Sequence, residues 1–303
     1  MAGAPPPWTG LTFTYPKLHS APPESLAPNI QKLPSPFVVA IVGGSRNIGA
    51  ETAKAFAAAG ATGILITGTD EDALSKTKSA VEAAGSSPTL KVTTLKADVS
   101  DISSAKQIAD TLESAYGRLD LLINNAAVVS VDPSAFAKPH EINIDNIDKT
   151  MQVNYIGRFN TVKTLMPLLL KTKGGAKTIV NITSAMSHFA AMGAIGYNIS
   201  ELAVNRLTEA LAQAYAAEDL LVYSVHPGIV ATMPPPIGME APEARAMATD
   251  DVTLAGAFLV WLVKEKRAWL SGRYLSANWD VDELESKKES IVSEDKLKMR
   301  MVV

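Results

Sequence analysis

The segment 37-FVVAIVGGSRNIG-49 decides the fold of this 303-residue chain. Its first six residues are apolar and four of them are β-branched, which predicts a strand buried on both faces. A glycine-containing turn follows. The next residues have a helical periodicity that ends at Gly60. One face of this predicted helix carries Ile48, Thr52, Phe56 and Ala59. A strand, a glycine turn and a helix together aim free helix amides at a phosphate, although such a turn alone is a weak sign of nucleotide binding.

The composition limits the possible functions. Apolar residues make up 47% of the chain, enough for a large core in one large α/β domain or two small ones. Lys plus Arg number 28 against 31 Asp plus Glu, so neither nucleic acid nor an anionic membrane is expected as a partner. The chain has no cysteine, and its four histidines lack i,i+4 pairing, which argues against disulfides, thiol chemistry and a metal site.

The rest of the chain alternates between strand and helix patterns. Further strands are predicted at 64–67, 90–96, 119–123, 177–182, 221–225 and 272–275. Helices are predicted at 71–84, 102–116, 144–171 and 197–217, with the third interrupted near Pro167 and another helix after Asp250-Asp251. Because no tight hairpin signal separates the strands, this order predicts an α/β fold with a doubly wound parallel sheet.

The two ends of the chain differ from this central domain, which we place at 37–280. Residues 1–36 form a proline-rich N-terminal arm without the features of a signal peptide. Residues 281–303 are predicted to form a charged helical tail with Leu284, Ile291 and Leu297 as its apolar face. The longest apolar helix, Leu254 to Val263, is about half as long as a membrane span, so we expect a cytoplasmic protein.

Several motifs in a fixed order resemble the short-chain dehydrogenase/reductase family over about 240 residues. They are the glycine turn, Asp98, Asn124-Asn125-Ala126, Val153-Asn154-Tyr155, Ser184 thirteen residues before Tyr197, and Pro227-Gly228 with Thr232. The segment Gly272 to Leu284 also resembles fungal members, which implies a place in secondary metabolism. The resemblance implies a Rossmann-type single domain, a small-molecule substrate, and a homodimer or homotetramer formed through the helices at 144–171 and 197–217.

The resemblance also implies the site residues. The catalytic candidates are Ser184, Tyr197, Asn154 and Glu201, although Asn154 has the alternative role of a hydrogen-bonding residue that bends its helix. His188 is expected at the rim of the pocket rather than as a base. Cofactor contacts are implied for Gly43, Ser45, Arg46, Asn47, Ile48, Gly49, Thr69, Asp98, Val99, Asn125, Ala126, Tyr197, Pro227, Gly228, Val230 and Thr232.

The expected cofactor is NADP(H). An acid after the second strand would favour NAD, but that position holds Gly68-Thr69, and Asp70 is expected to cap the following helix. Arg46 in the turn can bind a 2′-phosphate through a bidentate fork. Asn47 replaces the middle glycine of the family turn, and asparagine tolerates a left-handed backbone better than most residues.

Position 201 departs from the family, in which a lysine four residues after the tyrosine stabilises the tyrosinate. Here that position is Glu201. An ionised carboxylate there should oppose ionisation of Tyr197, whereas a protonated one would add a second donor. Arg206 cannot replace the lysine because it lies on the opposite helix face.

Three functions therefore remain open from the sequence. The first is an NADPH-dependent carbonyl reductase with Tyr197 as acid and Ser184 as donor to the carbonyl oxygen. The second is a non-redox isomerase, dehydratase or cyclase with Tyr197 and Glu201 as an acid–base pair. The third is a cofactor-binding subunit without chemistry. The loops 184–196 and 229–248 are rich in Met, Ala, Pro and Gly, and this composition favours a medium-sized apolar substrate.

Overall fold

A computed structural model describes residues 9–189, 193–230, 235–240, 242, 246 and 248–301. Within these residues seven parallel strands form one sheet in the order β3-β2-β1-β4-β5-β6-β7. The strands are β1 (Val38–Val42), β2 (Gly63–Gly68), β3 (Lys91–Lys96), β4 (Leu121–Asn124), β5 (Thr178–Ile182), β6 (Leu221–His226) and β7 (Tyr274–Ser276). The chain is a single doubly wound domain of the Rossmann type, as the alternating pattern predicted.

Helices cover both faces of the sheet. They are α1 (Asn47–Ala58), α2 (Glu71–Ala84), α3 (Ile102–Tyr116), α4 (Ile144–Thr150), α5 (Arg158–Lys171), α6 (Ile195–Ala214), α7 (Leu254–Val263), α8 (Val281–Ser286) and α9 (Lys288–Ser293). One core cluster joins the sheet to α1, α2 and α7, and the other joins it to α3 and α5. Every residue of β1 is buried between these layers, which explains its unbroken apolar sequence.

A chain of polar side chains crosses the core beside β4, β5 and β6. Asn124 Nδ2 donates to Asn181 Oδ1 at 2.9 Å, and Asn181 Nδ2 donates to Thr208 Oγ1 at 2.9 Å. The Ser224 hydroxyl donates to the same Thr208 oxygen at 2.8 Å. Since these groups are buried, their mutual hydrogen bonds fix how α6 lies on the carboxyl-terminal half of the sheet.

The predicted break in the helical region 144–171 was placed wrongly. Pro167 lies inside α5 without ending it, and the irregularity is a π-helical segment at Met151–Gly157. The buried residues Leu165, Met166, Leu168 and Leu169 hold α5 against the sheet, so packing outweighs the hydrogen bond that proline cannot make. The π segment contains Asn154, whose side chain is bound outside its own helix.

The C-terminal tail is not one continuous helix. It forms the short helices α8 and α9, with Leu284 and Ile291 buried as predicted, and then turns back along the sheet. The Tyr274 amide of β7 donates to the Leu297 carbonyl at 2.8 Å. The described part of the N-terminal arm packs nearby, where Trp279 Nε1 donates to the Gly10 carbonyl at 2.9 Å. In the part of the chain that the structure describes, no helix combines the length and apolarity that a membrane span requires.

Candidate active site

A cleft of about 720 Å³ lies at the carboxyl ends of the central strands. It is located where the strand order reverses between β1 and β4, the position at which open α/β sheets bind their ligands. The sequence-predicted residues on its wall are Gly43, Ser45, Arg46, Asn47, Ile48, Thr69, Asp98, Val99, Asn125, Ala126, Ser184, Tyr197, Pro227, Gly228 and Val230. The structure therefore brings together groups from turns that are far apart in the sequence.

The glycine turn is shaped by close backbone contacts. Gly43 has φ +82°, and a Cβ at this position would lie 2.6 Å from the Ala126 amide nitrogen and Cα. Asn125 Nδ2 donates to the Gly43 carbonyl at 2.6 Å, which ties the loop after β4 to the turn after β1. Gly49 does not line the cleft; a Cβ there would collide with the Gly43 carbonyl, so its role is helix packing.

The start of α1 fits a phosphate. Asn47 has φ +48°, the left-handed conformation that asparagine tolerates. Arg46 occupies the N-cap position, and no side chain caps the helix there. The first amides of a helix have no carbonyl partner within it, so these N–H groups remain for a ligand at the cleft wall.

The end of β2 carries Thr69 and Asp70, which both line the cleft. Asp70 caps α2 as predicted, accepting from the Ala73 amide at 3.0 Å, and it also lines the cleft. Asp98 accepts from the Ser100 amide at 2.8 Å, and hydrogen bonds from Ser100 lower the pKa of this carboxyl. Lys149, which the sequence analysis missed, also reaches this wall and donates to the Ser100 hydroxyl at 3.2 Å.

The loop after β6 closes the opposite side of the cleft. Gly228 has φ +92°, and a Cβ there would lie 2.8 Å from Asp250 Oδ2. That carboxylate accepts from the Ile229 amide at 2.7 Å and so holds the loop that carries Pro227, Gly228 and Val230. Thr232, predicted as a cofactor contact, lies outside the described residues.

Ser184 and Tyr197 meet in the cleft. Ser184 follows β5 and accepts from the Met186 amide at 3.1 Å, while Tyr197 stands in the first turn of α6. Both side chains line the same cleft. Burial raises the pKa of the Tyr197 phenol well above its ordinary value, and Glu201 raises it further, whereas Ser184 and Arg158 act in the opposite direction.

Glu201 is not on the cleft wall, contrary to its predicted catalytic position. It is completely buried one turn beyond Tyr197, and its Oε2 accepts from Arg158 Nη1 at 3.1 Å. Arg158 is 2% exposed and does line the cleft. Burial raises the pKa of the Glu201 carboxyl and Arg158 opposes this shift. By contrast, Arg206 is exposed and pairs with Glu209 at 2.6 Å, so it lies away from the site as predicted.

Asn154 also lies behind the cleft wall. Its Oδ1 accepts from the Val128 amide at 2.9 Å, and its Nδ2 donates to the Val128 carbonyl at 2.9 Å and to the Ser200 hydroxyl at 3.0 Å. These bonds hold the loop after β4, the π segment and α6 together. These contacts are consistent with the structural role that the sequence left as the alternative, and the catalytic role of Asn154 stays a prediction.

The histidines near the site are buried and neutral. His226 lines the cleft and its Nδ1 accepts from the Ala185 amide at 3.3 Å; burial lowers its pKa to about 4. His188 does not reach the cleft, although the sequence placed it at the rim. Its ring packs 4.2 Å from that of Tyr274, and burial lowers its pKa to about 4 as well. Neither histidine is charged near neutral pH.

The fold and the Ser–Tyr pair in the cleft define a dinucleotide-binding α/β protein. Residues 37–235 match the family model described as short chain dehydrogenase, and the chain belongs to that family. Its members are oxidoreductases that bind a nicotinamide cofactor and act on small molecules.

Individual proteins agree with this membership. The chain is 39% identical over 308 residues to the short chain dehydrogenase pgmD of Aspergillus terreus, covering 100% of this chain and 98% of that protein. It is 39% identical over 269 residues to the short chain dehydrogenase mpl6 of Monascus purpureus, with 88% of each covered. A solved short chain dehydrogenase from Shigella flexneri 2a str. 301, complexed with NADP, is 23% identical and has a TM-score of 0.70 over 82% of this chain and 99% of that one, which shows the shared fold.

Proposed function

We propose that this protein is an NADP(H)-dependent reductase of a carbonyl group on a medium-sized apolar molecule. The observation that carries the proposal is that Ser184 and Tyr197 line the same cleft as the glycine turn and the start of α1. Both hydroxyls are therefore placed to act on one substrate oxygen beside a bound dinucleotide.

The cofactor residues support a dinucleotide in the cleft. The close approach of Gly43 to Ala126 and the uncapped start of α1 leave room and amides for a diphosphate. When bound, the nicotinamide supplies the hydride. The loop at Pro227 and Gly228, held by Asp250, would cover it from the other side.

The acid–base state of Tyr197 favours reduction. Because burial and Glu201 raise the pKa of the phenol, Tyr197 keeps its proton at neutral pH. A protonated phenol donates to the carbonyl oxygen as hydride arrives, and the Ser184 hydroxyl donates to the same oxygen as its negative charge develops. The reverse reaction needs the phenolate, which this environment disfavours.

The preference for NADP(H) rests on Arg46. Its side chain is exposed at the cleft wall and makes no ion pair with any described residue. A charge-assisted bond to a 2′-phosphate contributes about 1.5–3 kcal/mol, so Arg46→Gln should weaken NADPH binding about 10- to 100-fold and leave NADH binding unchanged. Asp70 also lines the cleft, and an acid after the second strand favours NAD. Equal weakening of NADPH and NADH binding by Arg46→Gln would contradict the preference for NADP(H). Tighter binding of NADH than of NADPH by the wild type would contradict it too.

The substrate half of the cleft is mostly apolar. Its described residues include Val129, Phe136, Met186, Ile237 and Met239. Such a lining supports an apolar substrate of moderate size rather than a sugar or an acid.

The two other functions receive less support. A non-redox reaction with Glu201 as the second acid–base group needs that carboxyl at the substrate, and Glu201 lies behind the cleft wall in contact with Arg158. A silent cofactor-binding subunit would not need the Ser184–Tyr197 pair. Turnover that continues without NADP(H) would restore the non-redox alternative.

The test is NADPH oxidation with a panel of apolar ketones. Tyr197→Phe should lower turnover about 10²- to 10⁴-fold while NADPH binding is retained. Tyr15→Phe, at a tyrosine that is 71% exposed and outside the cleft, is the matched control and should behave as the wild type. Full activity of Tyr197→Phe would refute the proposed acid.

We also propose that the chain forms a homodimer or homotetramer. Ile156 and Phe159 are 37% and 42% exposed where the π segment joins α5, and Ile199 and Leu202 are 52% and 41% exposed on α6. These apolar side chains lie on the two helical regions through which the family pairs its subunits. Burying them against a second copy would remove apolar surface from water.

A further inference from the structure

Arg158 is a buried cation whose position calls for an explanation. Its Nη1 donates to Glu201 Oε2 at 3.1 Å and its Nη2 to the Ala126 carbonyl at 3.3 Å. Arg158 Nε and Glu201 Oε1 are both buried without a hydrogen-bond partner among the described residues. A buried pair with unsatisfied atoms is a poor source of stability, because apolar residues of similar volume often serve a core equally well. A role at the cleft is a better explanation.

The two partners are placed asymmetrically relative to the cleft. Arg158 forms part of its wall, whereas Glu201 does not. The guanidinium bridges α6, one turn beyond Tyr197, and the loop after β4 that supports the glycine turn. Arg158, the positive member of the pair, therefore faces the cleft, and Glu201, the negative member, lies behind the cleft wall.

We infer that Arg158, reaching in from α5, is the positioning residue that supplies the positive charge acting on Tyr197, and that Glu201 is its buried counterion rather than an acid–base group. The inference rests on the proposed function only in taking Tyr197 as the proton donor. The effect of Arg158 on the titration of the phenol at position 197 can be measured without cofactor or substrate.

The other groups around Tyr197 do not supply this charge. Ser184 after β5 and Tyr274 of β7 are neutral hydroxyls, and Glu201 is acidic. His226 of β6 lines the same cleft as a neutral imidazole. Lys149 is bound to Ser100 beside Asp98. Among the described groups that act on the phenol, Arg158 is the cation.

The experiment removes the carboxylate first, so that no charge is left uncompensated when the arginine is removed. Glu201→Gln is compared with Glu201→Gln/Arg158→Met in the full chain, each with a difluorotyrosine in place of Tyr197. The fluorinated phenol is more acidic than tyrosine, so fluorine NMR can follow its titration in the pH range where the protein is folded. Since a nearby cation lowers the pKa of an acid, the double variant should titrate at a higher pH than Glu201→Gln.

Two further variants separate charge from structure. Arg158→Lys in the Glu201→Gln background keeps a cation and should titrate close to Glu201→Gln alone. Arg267→Met in the same background removes another buried arginine, which pairs with Glu285 at 3.3 Å and stacks on Trp261 away from the cleft. It should lower thermal stability without moving the titration.

Equal titration of the phenol with and without Arg158, in variants that circular dichroism shows to be folded, would overturn the inference. An upward shift in Arg158→Lys as large as that in Arg158→Met would also overturn it. If the methionine variant does not fold, Arg158→Gln replaces it, with the same expected shift. A protein that shows the shift but no reductase activity would leave the inference standing and refute the proposed function instead.

Discussion

Glu201→Lys introduces the residue type that the family resemblance implies for this position, yet we expect it to damage this protein. The Glu201 carboxylate and the Arg158 guanidinium are 3.1 Å apart and both are almost completely buried. A lysine at 201 would place two positive charges together in a site that excludes water. Removing one partner from a buried pair costs about 3–5 kcal/mol, and repulsion adds to that cost.

This loss is large relative to the stability of a domain, which is about 5–15 kcal/mol. For a chain of this size, about 3–5 kcal/mol corresponds to a fall in Tm of roughly 5–8 °C. Thermal unfolding followed by circular dichroism measures it directly. Arg158→Met/Glu201→Lys contains only one of the two cations, so it should recover the part of the lost Tm that comes from repulsion between them.

Two results would refute this reasoning. The first is a Glu201→Lys protein with a Tm equal to that of the wild type, which would mean that the pair does not exist in solution. The second is a double variant less stable than Glu201→Lys alone, which would mean that repulsion between positions 158 and 201 is not the cause. Reductase activity gained by the single variant, without loss of stability, would also contradict the assigned role of Arg158.

Three further predictions concern the cofactor, the pH dependence and the assembly. Gly43→Ala should abolish saturable NADPH binding in a fluorescence titration while circular dichroism shows a folded chain, because a Cβ would lie 2.6 Å from the Ala126 backbone. Because the pKa of Tyr197 is raised, the rate of alcohol oxidation should increase about tenfold per pH unit from neutral to alkaline pH. The rate of ketone reduction should stay nearly constant over the same range. A rate of oxidation that reaches a plateau near neutral pH would argue against a raised pKa. Leu202→Glu should convert an oligomer to monomers in analytical ultracentrifugation, and a wild type that is already monomeric would exclude the proposed interface.

Much of the fold was predictable because its signals are local. The apolar run of β1 and the aspartate that caps α2 determine nearby structure through their own neighbours. Pro167 misled the prediction because the preference of one residue was weighed without the buried side chains of α5 that hold the helix in place. The π segment could not be predicted, since it depends on the bonds of Asn154 to Val128 and Ser200.

The surroundings of Tyr197 were less predictable because the contact between Arg158 and Glu201 joins residues that are far apart in the sequence. Arg158 and Glu201 are 43 residues apart and meet only when α5 and α6 pack together. One signal was available: Arg158 is four and seven residues before the buried Val162 and Leu165, which places a charge on the apolar stripe of its helix. A buried charge needs a partner, and Glu201, on the buried side of α6 with Val204 and Thr208, was the candidate.

The short strand β7 ends the sheet at one side, and its edge is where another chain could add by backbone pairing. The Leu297 carbonyl already accepts from the Tyr274 amide, so the C-terminal residues occupy part of that edge. At the opposite side β3 begins and ends with the exposed lysines Lys91 and Lys96, and charged ends of this kind disfavour strand addition. Removing the residues from Leu297 onward would therefore expose unpaired backbone groups at the β7 edge but not at the β3 edge. The first effect would be on self-association of the polypeptide rather than on turnover.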